Sequence, residues 1–99
     1  MNQFDVYAGV GRSGTLVVDL QSNILGPMAT RIVAPLFRRS ETPILTELTP
    51  VVRLDGRDLV VMIPLMASIP VRELQRPAGS LASDQDAIKR ALDVLFLGF

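Results

Sequence analysis

"VVRLDGRDLVVMI", residues Val51 to Ile63, consists of two β-branched runs hinged on Asp55-Gly56. Asp-Gly between alternating apolar residues suits a two-residue hairpin turn, where both central residues need positive φ. The stretch therefore predicts an antiparallel hairpin, and the chain around it keeps the same extended pattern. On the N-terminal side, "RIVAPLFRR" (31–39) reads as a strand. Its Pro35 is expected at a strand edge, an end or a bulge, because proline cannot donate to the ladder. Further out, "QFDVYAGV" (3–10) and "TLVVDLQ" (Thr15–Gln21) flank "GRSG", predicting a first hairpin whose turn uses Gly11 and Gly14. "SNILGPMAT" (22–30) breaks the pattern at Gly26-Pro27, and "SETPILTELTP" (40–50) is loop-like between Pro43 and Pro50. On the C-terminal side, "MASIPV" (66–71) is a short extended piece and "RELQRPAGSLAS" (72–83) a polar connector.

The period changes once, in the last segment. Ser83 is a candidate N-cap, with Asp84 and Asp86 placed favourably in a first helical turn. Ile88, Ala91, Leu92 and Leu95 share one face of the wheel and Phe96 flanks it, so Ile88, Leu92 and Leu95 are expected to anchor the helix. Asp86, Arg90 and Asp93 share the opposite face at ion-pairing spacings. Leu97 continues that charged line, four residues beyond Asp93, and so projects toward solvent. The apolar tail "FLGF" (Phe96–Phe99) is thus tucked into a core or dimer contact, or it meets a partner; contiguous exposed apolar surface marks interaction sites.

Composition narrows the function classes. The 99 residues are expected to form one domain, 1–99, with ten acidic and ten basic residues and no net charge. Such a balance speaks against nucleic acid as the main direct partner. There is no cysteine and no histidine, which excludes disulfides, cysteine zinc sites and the usual general base near neutral pH. Ser13, Ser22 and Ser68 therefore lack an activating histidine. Arg12, Arg38 and Arg39 are candidate phosphate contacts for a base-free RNA cleavage, and Asp55 with Asp58 brackets a turn that the hairpin itself explains. No metal and no cofactor are expected. "MNQFDVYAG" lacks the features of a signal peptide, and "LVVMIPLMASIPV" (59–71) is too short and proline-broken for a membrane helix. The expected location is the cytoplasm, with no membrane partner.

Six stretches taken together resemble the CcdB family of toxins from toxin–antitoxin modules. "QFDVY" resembles the first strand, "LVVDLQSNIL" the second strand and following loop, and "RIVAPL" the third; "ELTPVVRL", "MASIPV" and "DAIKRALDVLFLGF" follow in order and at matching spacing. The resemblance implies a mainly β fold with one C-terminal helix, an SH3-like small barrel in which a main antiparallel sheet carries a minor sheet. It implies a homodimer, with the contact expected at Leu65, Met66, Ala67, Ser68, Ile69 and Pro70. It also implies a non-enzymatic toxin that traps the A subunit of DNA gyrase on cleaved DNA. A CcdA-like antitoxin would neutralise it, and DNA would be met only indirectly, through that antitoxin.

Carried over residue by residue, the gyrase-facing surface comprises Ile24, Leu25, Asp93, Phe96, Leu97, Gly98 and Phe99. The family's best-known toxins carry Trp at the position of Leu97, Asn at Asp93 and Ile at Phe99. A pair of Trp rings can sandwich a gyrase Arg; Leu97 cannot, while Asp93 offers a charge pair. A CcdB-like protein with a lost or altered target, and an RNA-cleaving toxin on a related scaffold, are the alternative readings.

Overall fold

The computed structural model describes residues 1–25, 27–44 and 46–99, with only the backbone of Thr46. Gly26, the first residue of the Gly-Pro break, lies outside the described residues. The Asp-Gly hairpin forms as its sequence requires. β4 (Val51–Leu54) and β5 (Arg57–Val61) pair antiparallel across Asp55 and Gly56, whose φ values of 51° and 78° are both positive. β1 (Asp5–Val10) and β2 (Thr15–Asp19) form the second hairpin, with Gly11 and Gly14 at positive φ in its turn.

The long β3 (Thr30–Arg38) joins these hairpins. It pairs with β2 on one side; on the other its C-terminal end pairs with β5 and its N-terminal end with β6 (Ala67–Pro70). The expected main and minor sheets are therefore continuous through β3, in the order β4-β5-β3-β2-β1-β7 with β6 attached to β3. The sheet curls into a half-barrel. Its two ends approach each other: a Cβ built on Gly79 in β7 would stand 2.9 Å from Leu54 Cδ1 in β4, so a side chain there would have to displace that methyl.

Pro35 sits within this central strand rather than at an outer edge. Its carbonyl accepts from the Met62 N–H at 2.9 Å, on the side where β5 has ended and β6 has not begun. A strand residue directs its N and C=O to the same side, so the missing donor of Pro35 falls in the gap between two partner strands. The ladder loses nothing.

The polar connector needs a larger correction. Within 72–83 lies β7 (Arg76–Ser80), which pairs antiparallel with β1. It carries no alternating apolar signal because it is an outer strand with four of its five residues exposed. Pro77 is tolerated there for the same reason.

Alternate residues of β1, β2 and β3 face opposite sides. Val6, Val18, Ala34 and Leu36 point into the main core with Val61, Ile63 and Leu81, and α1 (Gln85–Leu97) closes it with Ile88 and Ala91. Each such aliphatic side chain contributes about 1.5–3 kcal/mol by leaving water. Tyr7, Val10, Val17 and Val33 form a smaller cluster on the opposite face, covered by Leu74. That face also holds a buried ion pair. Asp19 is fully buried, and its Oδ2 accepts from Arg31 Nη2 at 2.7 Å and Nε at 3.0 Å. The backbone of Gln21 completes the knot: its N–H donates to Asp19 Oδ1 and its carbonyl accepts from Arg31 Nη2. Burial, reinforced by Asp5 and Asp19 and opposed by Arg31, holds the Tyr7 hydroxyl above its ordinary pKa of 10.0. It stays a neutral packing group at physiological pH.

Candidate partner-binding surface

The helix start differs from the expected cap. Ser83 lies in a 3₁₀ turn (Ala82–Asp84), and Asp84 occupies the N-cap position without a side-chain capping bond. From there the helix packs on the turns Thr46–Leu48 and Ile63–Leu65, burying Ile88 and Ala91 completely. Leu92 is half-buried against the same core. Leu95 is not an anchor: it is 38% exposed, because α1 has by then passed the elements that cover its apolar face. The expected Asp86–Arg90–Asp93 line is also rearranged. Arg90 pairs with Glu47 at 3.2 Å, across 43 residues of sequence, and Lys89 donates to Gln85.

Beyond Leu95 the apolar residues stand clear of the fold. Phe96 is 69% and Leu97 61% exposed, with Leu97 on the solvent side as its wheel position requires. Gly98 then ends the helix in the left-handed conformation (φ 80°), donating its N–H to Val94 O at 3.0 Å. Glycine adopts that geometry without strain and so commonly closes helices. The turn folds Phe99 back beside Asp93, Val94 and Arg90 along a shallow groove, yet leaves the ring 86% exposed. Asp93 itself has no hydrogen-bond or ion-pair partner among the described residues. The tail therefore combines three exposed apolar side chains with a carboxylate that has no ion-pair partner among the described residues.

Ile24 and Leu25 occupy a different element, the 3₁₀ turn Asn23–Leu25. Its own side chains set its shape: Ser22 Oγ accepts from the Ile24 N–H, and Asn23 Oδ1 from the Gln3 N–H. With the backbone held in this way, Ile24 projects outward at 93% exposure and Leu25 at 58%. The structure thus groups Asp93, Phe96, Leu97, Gly98 and Phe99 at one helix end and sets Ile24 and Leu25 on a separate projecting turn.

The segment Leu65–Pro70 forms the end of a 3₁₀ turn followed by β6. Leu65, Ala67 and Ser68 are exposed, while Met66 packs against the main core and Ile69 against the smaller cluster. β6 bonds to β3 alone, so its outer edge is open among the described residues.

Of the phosphate candidates, Arg38 and Arg39 share an open groove with Arg57 and Asp58, whereas Arg12 lies with Arg76 and Glu73 along a different one. Arg38 pairs with Glu41 at 3.6 Å and Arg39 with Asp58 at 3.9 Å, all of them solvent-exposed. Ser13 Oγ shares a hydrogen bond with Thr15 Oγ1, and Ser22 Oγ serves its own turn. Asp58 faces Arg39 and Arg53, each at 3.9 Å. The buried Asp19–Arg31 pair is the feature that residue spacing did not announce, since two charges twelve apart become partners only through the β2–β3 register.

The chain matches the family described as "CcdB protein" over residues 3–98. Among solved structures it is similar to the Mycobacterium tuberculosis toxin MazF-mt6, with a TM-score of 0.76 and 23% sequence identity over 93% of this chain and 95% of that one. At that identity the likeness speaks for the fold.

Proposed function

The chain belongs to the CcdB family of toxin–antitoxin toxins, and from that premise we propose that it binds the A subunit of DNA gyrase and holds the enzyme on cleaved DNA. The observation that carries this reading is the helix end, where Phe96, Leu97 and Phe99 are exposed beside an Asp93 with no ion-pair partner among the described residues. Apolar side chains left in water at the end of a well-packed helix serve folding poorly and serve a partner well. In a homodimer built on Leu65–Pro70, each copy contributes the same tail and the same Ile24–Leu25 turn. A two-fold surface of this kind suits a two-fold cavity in gyrase. Asp93 would pair with a cationic side chain of the target, and the apolar tail would supply the central anchor.

No bond is made or broken by the toxin, so it is not an enzyme in this reading. Its antitoxin covers the same protein until released, and the site of action is the cytoplasm, where gyrase works on DNA. No helix among the described residues is long and apolar enough to cross a membrane.

Purified protein incubated with gyrase and supercoiled plasmid should accumulate linear DNA after denaturation, and should leave RNA intact. RNA cleavage with gyrase untouched would replace this reading with that of a nuclease toxin. Light scattering should give a dimer at micromolar concentration. Leu97→Trp should strengthen gyrase binding by roughly 0.5–2 kcal/mol through stacking on a target cation, and unchanged or weaker binding would place the contact elsewhere.

A further inference from the structure

Arg12 lines an open groove of about 430 Å³ together with Gly9, Gly11, Glu73, Gln75 and Arg76. One wall is the exposed β1–β2 turn, and the other is the 3₁₀ turn Val71–Glu73 running into β7. Arg12, Arg76 and Glu73 each lack a hydrogen-bond or ion-pair partner among the described residues. Arg76 is nevertheless held in place. It stands opposite Ala8 in the β1–β7 ladder, and the next residue of β1 is Gly9, at φ 70°. A Cβ built on Gly9 would stand 2.9 Å from Arg76 Nη1 and 3.4 Å from its Cδ, so the arginine crosses the bare backbone there in close contact. Glycine supplies both that backbone conformation and that clearance. Gly11 has nothing within 4 Å of its own Cβ direction, which leaves the turn backbone open beside Arg12. An arginine laid along backbone with no carboxylate to meet gives up side-chain entropy and presents its fork already oriented.

Charge sets the sign of the occupant. Arg12 and Arg76 share the groove with a single carboxylate, Glu73, and Arg72 in the same 3₁₀ turn adds a further positive charge. Asp5 lies at the far end of the β1–β7 ladder, opposite Ser80, where it accepts from the Asn2 N–H. The surroundings are therefore net positive and call for an anion. Guanidinium forks on two walls suit a phosphate, whose three terminal oxygens can accept from both, whereas a carboxylate presents one edge to one fork. The other polar groups call for donors. Glu73 is half-buried and offers acceptor oxygens, and Gln75 commits its Nε2 to the Arg72 carbonyl at 2.7 Å, leaving Oε1 as an acceptor. Hydroxyl groups carried beside a phosphate answer both. The groove has the volume of a small-molecule site.

We propose that this groove binds a phosphorylated sugar, with its phosphate between Arg12 and Arg76 and its hydroxyls on Glu73 and Gln75 Oε1. The site uses no residue of the helix end or of the Ile24–Leu25 turn and does not rest on the gyrase reading. A free pentose phosphate and a mononucleotide share this chemistry, and the test separates them.

The full chain is titrated at fixed ionic strength with ribose 5-phosphate, AMP, ribose, succinate and inorganic phosphate, followed by NMR shifts of the Gly9, Gly11 and Arg76 backbone amides. Ribose 5-phosphate or AMP should give saturable shifts confined to the groove, and the tighter of the two identifies the source. Inorganic phosphate and succinate should bind weaker by about threefold or more, and ribose should not saturate. Arg12→Gln alters an exposed turn and should weaken the sugar phosphate by about tenfold or more at unchanged thermal stability. Arg76→Lys keeps the charge, loses the fork and should weaken it by a similar factor. Glu73→Ala should erase the preference for the sugar phosphate over inorganic phosphate. Shifts that fail to saturate, inorganic phosphate or succinate bound as tightly as both sugar phosphates, or undiminished binding in Arg12→Gln would each overturn the assignment.

Discussion

In its first half α1 lays Ile88 and Ala91 on the sheet with nothing of either left in water, whereas in its last turn and tail Phe96, Leu97 and Phe99 are each more than half exposed. The two ends are similarly apolar, so hydrophobicity alone does not separate them. What separates them is the support beneath. The first half rests on the turns Thr46–Leu48 and Ile63–Leu65 and on the core behind them, and the last turn has outrun that support. The helix therefore works as a bracket, fixed at one end and presenting apolar side chains at the other. A binding surface gains from this arrangement because the residues are held on a rigid element before any partner arrives.

This contrast makes graded predictions. Ile88→Ala should have the largest effect on stability, costing roughly 2–5 kcal/mol in urea unfolding, since it empties a fully buried position. A loss under about 1 kcal/mol would mean that the fixed end is not fixed. Gly98→Ala should cost about 1 kcal/mol, because space is open around the added methyl but φ is held at 80°. An unchanged midpoint would show that the cap is free to unwind. Leu95→Ala should cost less than about 1 kcal/mol, well short of a core leucine, because over a third of the side chain is already exposed. A larger loss would move the boundary between the two ends one turn toward the tail. Deleting Leu97–Phe99 should cost least of all, about 0.5 kcal/mol or below, while abolishing gyrase binding and leaving the dimer seen by light scattering intact. A truncated protein that melts early would erase the distinction between the ends altogether.

Most of the strand elements were legible because their signals are local. Asp55-Gly56 demands positive φ at two consecutive positions, and the alternation on either side of it needs no distant partner to be read. β7 was not legible, as "RPAGS" becomes a strand only because β1 has an unpaired edge to offer it. Leu95 was misplaced for a related reason. A wheel gives the direction of a side chain but not how far along the helix the covering elements extend. The same wheel placed Leu97 correctly, since its side of the helix is uncovered throughout. Arg90 chose Glu47 over its helical neighbours because the turn Thr46–Leu48 folds against α1, a proximity that no spacing along the chain contains.

By itself, then, the sequence determined the two hairpins, the single helix, the absence of histidine and cysteine chemistry, and a tail with an outward-facing Leu97, since each follows from residue types and their local period. Only the tertiary structure decided where the helix loses its support, that Gly98 turns Phe99 back beside Asp93, and that Asp19 and Arg31 meet in the β2–β3 register. These are relations between distant segments. They come into being when the sheet curls and brings those segments into contact.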